Sequence, residues 1–255
     1  MAIDPFENPK TQIARAKRRI DELTRGIGEY FAVNPFKESI RRDRERGIQV
    51  AARHYSEFPE ELSEMVDDSI TKSRSALDQA VYAASLLIDP SLKGNEKAER
   101  GLAFPFADDP KKLDFKSVPA ALHDVIRRFE PYPPSKERPD GNFKLVGLNR
   151  LANIHKHRFL IKAQPAPASL FAWSIVPVDL TASPTYAWDP DKRELSATTP
   201  LNAPGMHIVM LNQAIAFSEP EFVRNANVVS VLTDIHKMAE GIVSAIEAEA
   251  LRLLP

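Results

Sequence analysis

The sequence predicts an α+β protein: a helical bundle of long helices, an antiparallel β-meander and a closing C-terminal helix. Three observations predict it. Apolar residues recur at three- and four-residue spacing over residues 9–31, 59–88 and 227–254. Between residues 159 and 217 the pattern changes to short β-branched and aromatic runs. Strand and helix never alternate regularly, which argues against a doubly wound parallel sheet. The 255 residues are read as a single domain, with a helical part about 9–158, a β-rich part about 159–217 and a C-terminal helix about 227–254 packing back on the bundle.

The first helix is predicted from Pro9 to Phe31, with Asn8 as N-cap and Ile13, Ile20, Leu23, Ile27 and Tyr30 as its apolar stripe. Residues Phe36 to Tyr55 read as a hairpin whose charged centre runs from Arg41 to Gly47; its arginines could touch phosphate, and a charged edge that resists strand-to-strand aggregation explains them as well. A long helix follows from Pro59 to Ile88, with Glu60 and Glu61 at its positive end, and Asp89-Pro90 stops it. Pro90 to Phe115 reads as loop. A short helix then starts at Ser117 as N-cap and carries Leu122, Val125, Ile126 and Phe129. Phe143, Leu145, Leu148, Leu151, Ala152 and Ile154 form the next amphipathic helix. Strands are predicted at Phe159–Ile161, Leu170–Val178, Thr185–Trp188, Glu194–Thr198 and Met206–Phe217, with a turn at Asp189-Pro190-Asp191-Lys192. The closing helix carries Val228, Val231, Ile235, Met238, Ile242, Ile246, Ala250 and Leu253.

Composition narrows the chemistry. The chain has no cysteine, which excludes disulfides, thiolate metal sites and cysteine nucleophiles and fits a reducing cytoplasm. Its net charge of −1 gives no global attraction to nucleic acid or anionic membrane. The longest apolar stretch, Ala80 to Ile88, broken only by Ser85, is less than half of the roughly 20 residues that span a bilayer, and residues 1–9 lack a signal-peptide pattern, so no membrane role is expected. With only 9 glycines and neither a Gly-x-Gly-x-x-Gly nor a P-loop pattern, no nucleotide cofactor is expected, and no other cofactor is implied.

The densest polar cluster is Asn149-Arg150-Leu151-Ala152-Asn153-Ile154-His155-Lys156-His157-Arg158. Taken with Arg74-Ser75-Ala76-Leu77-Asp78-Gln79, Phe104-Pro105-Phe106 and Glu130-Pro131-Tyr132, it resembles a widespread, uncharacterised bacterial family. That family carries an Arg-Ser-Ala-Leu-Asp-His helix, a Phe-Pro loop, a Gln-Pro-Tyr turn and an Asn-Ile-Asp-Lys-His-Arg segment. The resemblance covers about residues 65–161. Gln79, Glu130 and His155 depart from the family pattern, while Lys156, His157 and Arg158 keep it.

The same cluster is similar, more weakly, to the Arg-x4–6-His motif of the HEPN ribonucleases, helical bundles that cut RNA without metal at a dimer interface. Arg150 with His155 fits four intervening residues, and Arg150 with His157 fits six. The resemblance implies a toxin or phage-defence setting, with Arg150, His155 and His157 as catalytic residues. An imidazole can take a proton from a 2′-hydroxyl while a guanidinium holds the phosphate.

Lys156, Arg158, Arg74, Asp78 and Tyr132 are the candidate binding residues, with Tyr132, Phe143 and Trp173 as rings for base stacking. Arg74 and Asp78, four apart on one helix, can form an ion pair that orients His157 or fixes helix register. His155 and His157 would share a face on a strand but not on a helix; a metal would need Asp78, Asp124 or Asp234 as well. A helix-end role, with cations at the negative dipole end, explains the cluster without chemistry. No Ser-His-Asp arrangement is predicted, because Ser73 and Ser75 lie in a helix without a nucleophile elbow. The leading expectation is a cytoplasmic, non-catalytic binding or assembly protein that self-associates as a homo-oligomer. The competing expectation is the ribonuclease, with RNA as partner.

Overall fold

A computed structural model describes residues 4–136, 139–157, 161–174, 185–189, 191–201 and 207–254. The fold is α+β, with long helices, antiparallel sheets and a closing helix. Its helices are α1 (Glu7–Ala32), α2 (Glu60–Ile88), α3 (Glu96–Glu99), α4 (His123–Arg127), α5 (Phe143–His157) and α6 (Val228–Arg252). The strands are β1 (Phe36–Asp43), β2 (Ile48–Tyr55), β3 (Ala163–Ser174), β4 (Thr185–Asp189), β5 (Glu194–Pro200) and β6 (His207–Phe217). The chain divides into two compact units: Met1–Leu23, Glu64–Ile161 and Val229–Pro255 form one, and Thr24–Ser63 and Lys162–Val228 form the other.

The first unit is helical. Its core is built from the predicted stripes: Ile13, Ile20 and Leu23 of α1; Val66, Ile70, Leu77 and Val81 of α2; Leu145, Leu148 and Leu151 of α5; Ile235, Ile242 and Ile246 of α6. Four details differ from the sequence expectation. α1 starts at Glu7, before Asn8: Phe6 is fully buried, and Asp4 Oδ1 accepts its N–H at 2.8 Å, so Asp4 fixes the entry. Ser117 does not cap the short helix; a 3₁₀ turn at Ala120–Leu122 precedes α4 and no side chain caps it. Phe143 leaves the apolar stripe of α5 and is 53 % exposed, because the buried face is set by Leu145, Leu148, Leu151 and Ala152. The segment 90–115 is not all loop. It contains 3₁₀ turns at Pro90–Leu92 and Pro110–Lys112 and the one-turn α3, each opened by an Asp or Asn side chain that accepts a main-chain N–H.

Among the described residues the second unit holds two antiparallel sheets, one in the order β1-β2-β5-β4 and a ribbon of β3 with β6. The C-terminal strands therefore divide: β4 and β5 extend the early hairpin, while β3 pairs with β6. Gly47 closes the β1–β2 hairpin at φ +64°, where a Cβ would be strained. One sheet face packs Phe36 edge-on against Tyr55 and Tyr55 edge-on against Trp188, with centroids 5.8 and 5.9 Å apart. Tyr30 packs edge-on against Phe58, and its hydroxyl donates to the Ser56 carbonyl at 2.9 Å. Burial pushes the Tyr30 and Tyr55 phenols above their usual range. The strand expected at Phe159–Ile161 lies largely outside the described residues, and Ile161 itself is not strand.

Candidate functional site

The four segments singled out in the sequence meet in the helical unit. Arg74 and Asp78, one turn apart on α2, form an ion pair with side chains 15 and 35 % exposed. Asp78 Oδ1 accepts the main-chain N–H of Phe104 at 2.9 Å. Arg74 donates from Nη2 to the Phe104 carbonyl at 3.5 Å and from Nε to Asn149 Oδ1 of α5 at 3.3 Å. Its guanidinium also lies over the Phe106 ring, 4.6 Å from the centroid. One ion pair thus grips Phe104 by both its N–H and its carbonyl and ties the loop to α5. Phe104, 2 % exposed, is the apolar anchor of the arrangement.

The Glu130-Pro131-Tyr132 turn joins the same loop, since Ala107 N–H donates to the Pro131 carbonyl at 3.1 Å. Glu130 takes φ +51°, and Asn142 N–H donates to the carbonyls of Tyr132 and Glu130 at 2.9 and 3.2 Å. Asn142 Oδ1 then accepts Leu145 N–H at 3.0 Å, opening α5. Tyr132 is 9 % exposed and its hydroxyl faces Asp140, so its ring belongs to the packing of the turn and offers no open face for a base. Phe143 is the exposed ring of this region.

Backbone geometry sorts the rest of the cluster. Residues 143–157 are helical, so positions 155 and 157 lie about 200° apart around the axis and do not share a helix face. Positions 143, 150 and 157 are seven apart and fall on one face, within about 40°. Positions 150 and 155 are about 140° apart. Of the two Arg–His spacings, the helix therefore aligns only the one with six intervening residues. Arg150 is exposed. The side chains of His155, Lys156 and His157, all of Arg158, and the side chain of Trp173 lie outside the described residues.

Asp67 is the residue that the sequence reading missed. It stands on α2 seven residues before Arg74, is 2 % exposed, and accepts the N–H of Ile161 at 3.3 Å. The available signal was a carboxylate directly after Val66 in the middle of an apolar stripe, where burial demands polar partners. α2 therefore presents Asp67, Arg74 and Asp78 along one side, meeting α5 at Asn149 and the chain just beyond α5 at Ile161. The carboxylates considered for a metal are otherwise engaged: Asp78 as described, Asp124 with Arg127 at 3.3 Å, and Asp234 with Lys144 at 2.7 Å. Gln79, beside Asp78, has a buried Oε1 with no hydrogen-bond partner among the described residues.

His236 of α6 is 6 % exposed, and its Nδ1 has no partner among the described residues. Burial lowers its pKa first of all; Lys17 of α1 and Lys237 act in the same direction, while Glu240 and Asp21 oppose it. Comparison of the chain with protein-family models, curated proteins and solved structures finds no match.

Proposed function

We propose that this chain is a binding or assembly protein that does no covalent chemistry at the α2–α5 seam, and that the outward face of α5 is its working surface. One observation supports this reading: the division of labour on α5. Asn149, with Arg74 and Asp78, is occupied in fixing the Phe104 loop. On its outward side the helix carries the exposed residues Phe143 and Arg150, on one face. That pairing suits RNA, because unpaired bases stack on aromatic faces and a guanidinium grips phosphate with paired hydrogen bonds. The setting is the cytoplasm, and a homo-oligomer is the expected assembly.

A second reading is a HEPN-like metal-independent ribonuclease of a toxin or phage-defence system. The alignment of positions 150 and 157 on one helix face favours it. In that reading the imidazole at 157 takes the 2′-hydroxyl proton and Arg150 holds the phosphate as charge builds.

Labelled structured RNA, incubated in EDTA with the parent protein and with Arg150→Ala and His157→Ala variants, separates the two. Binding without cutting, weakened in Arg150→Ala, supports the binding reading. Cutting lost in His157→Ala supports the ribonuclease. Folded protein that neither binds nor cuts removes RNA from both readings, and sedimentation velocity on a Phe143→Asp variant then tests self-association through the same face.

A further inference from the structure

We propose that the sheet unit carries a second, separate site: a Ser39–His54–Glu194 array that transfers the acyl group of a carboxylic ester. The three residues lie on three neighbouring strands. His54 of β2 pairs in register with Glu194 of β5, and Ser39 of β1 pairs with Ala52, two residues from His54. Residues two apart, and residues directly opposite, share a sheet face, so the register alone puts all three side chains on one side.

They meet there in the order that acyl transfer needs. Ser39 Oγ lies 3.4 Å from His54 Nε2, and His54 Nδ1 lies 3.2 Å from Glu194 Oε2. A hydroxyl, a base and a carboxylate that orients the base are the parts of an activated nucleophile, and the hydroxyl–base contact in unliganded sites is commonly longer than in the reacting complex. Glu194 is held from its other side by Arg41, which donates to both carboxylate oxygens at 3.1 and 3.2 Å. The Glu194 side chain is 12 % exposed, so Arg41 and the sheet fix its position. With the Nδ1 proton directed at Glu194, Nε2 is left to accept from Ser39.

The site is open to a substrate. His54 is 41 % exposed, Ser39 is half-buried, and β1 stands at the edge of its sheet. An edge strand turns alternate main-chain N–H groups outward, and these can receive the oxyanion of a tetrahedral intermediate.

In the first step Ser39 Oγ bonds to the ester carbonyl carbon while its proton passes to His54 Nε2. The carbon–alkoxide bond then breaks, and the departing oxygen leaves as the alcohol with that proton. Water next attacks the acyl-Ser39 ester, giving a proton to His54; Ser39 recovers it as the acid departs. The sum is ester plus water to acid plus alcohol. Aryl esters, with a good leaving group and an unhindered acyl carbon, suit so open a site.

The test treats the full chain with a tagged fluorophosphonate and follows p-nitrophenyl acetate hydrolysis. Ser39→Ala, His54→Gln, Glu194→Gln and Ser196→Ala variants are run beside the parent, each checked by circular dichroism. The expected result is one phosphonyl adduct on the peptide holding Ser39, and hydrolysis lowered about 100-fold in Ser39→Ala and His54→Gln. Ser196→Ala, whose hydroxyl bonds the Ala187 carbonyl on the next strand, keeps the parent rate. Folded parent protein that takes no label, or hydrolysis that survives Ser39→Ala, overturns the proposal and leaves the array as cross-strand hydrogen bonding.

Discussion

The Asp78 carboxylate accepts the Phe104 main-chain N–H at 2.9 Å while its ion-pair partner Arg74 donates to the carbonyl of the same residue. The loop between α3 and α4 is thereby held through the peptide groups of Phe104 as well as through its buried ring.

Removing that carboxylate leaves the Arg74 guanidinium without its counter-charge and the Phe104 N–H without its acceptor. Asp78→Ala is expected to cost about 2 kcal/mol in urea unfolding. Asp78→Asn keeps an acceptor for Phe104 and is expected to lose about half as much. Equal losses in the two variants would show that the charge, not the peptide bond, carries the effect.

Gln79 supplies the opposite case. Its Oε1 is buried without a partner among the described residues, so Gln79→Met removes a desolvated acceptor while nearly keeping volume. Thermal unfolding is expected to show no loss, or a gain of up to about 1 kcal/mol. A marked drop in Tm would mean that the amide is satisfied after all.

His236 predicts a pH dependence with a definite sign. Its folded pKa lies below its ordinary value of 6.5, chiefly through burial. As pH falls past that value the unfolded chain takes up the proton first, so stability is lost across the window between 6.5 and the lowered folded value. Above the window the neutral ring costs nothing in this respect. His236→Leu should flatten the pH–stability curve there, as read by denaturant midpoints from pH 7 downward.

On α5, Phe143→Ala and Arg150→Ala should weaken RNA binding in different ways. Loss of the ring is expected to cost about 1–3 kcal/mol with little change in salt dependence. Loss of the guanidinium should reduce the slope of log K against log salt by about one. A filter-binding series at several salt concentrations reads both, and identical slopes for parent and Arg150→Ala would remove Arg150 from the phosphate contacts.

The long elements were legible in the sequence because their signal is local. The stripes of α1, α2 and α6 each repeat along one segment, and Asp89-Pro90 ends α2 where turn chemistry requires. Arg74 with Asp78 could be read as an ion pair for the same reason, being four apart on one helix. Contacts set by register between distant segments were not legible. Ser39, His54 and Glu194 meet only because β2 lies between β1 and β5 in one antiparallel order. Asp67 is of the same kind, because the Ile161 N–H that it accepts lies 94 residues away along the chain. Phe143 shows the converse error: an apolar residue near the right spacing was assigned to the buried face and proved exposed.

The helical unit is assembled from three separated stretches of chain, with the sheet unit's residues inserted between them. Lys10 of α1 reaches Glu247 of α6 across 237 residues of sequence. During synthesis, then, α1 emerges from the ribosome well before α6, so Lys10 waits for its Glu247 partner and the buried Ile242 and Ile246 of α6 join the helical unit last. A nascent chain in that condition is a natural client for holdase chaperones, and premature termination before α6 would yield a product marked for proteolysis.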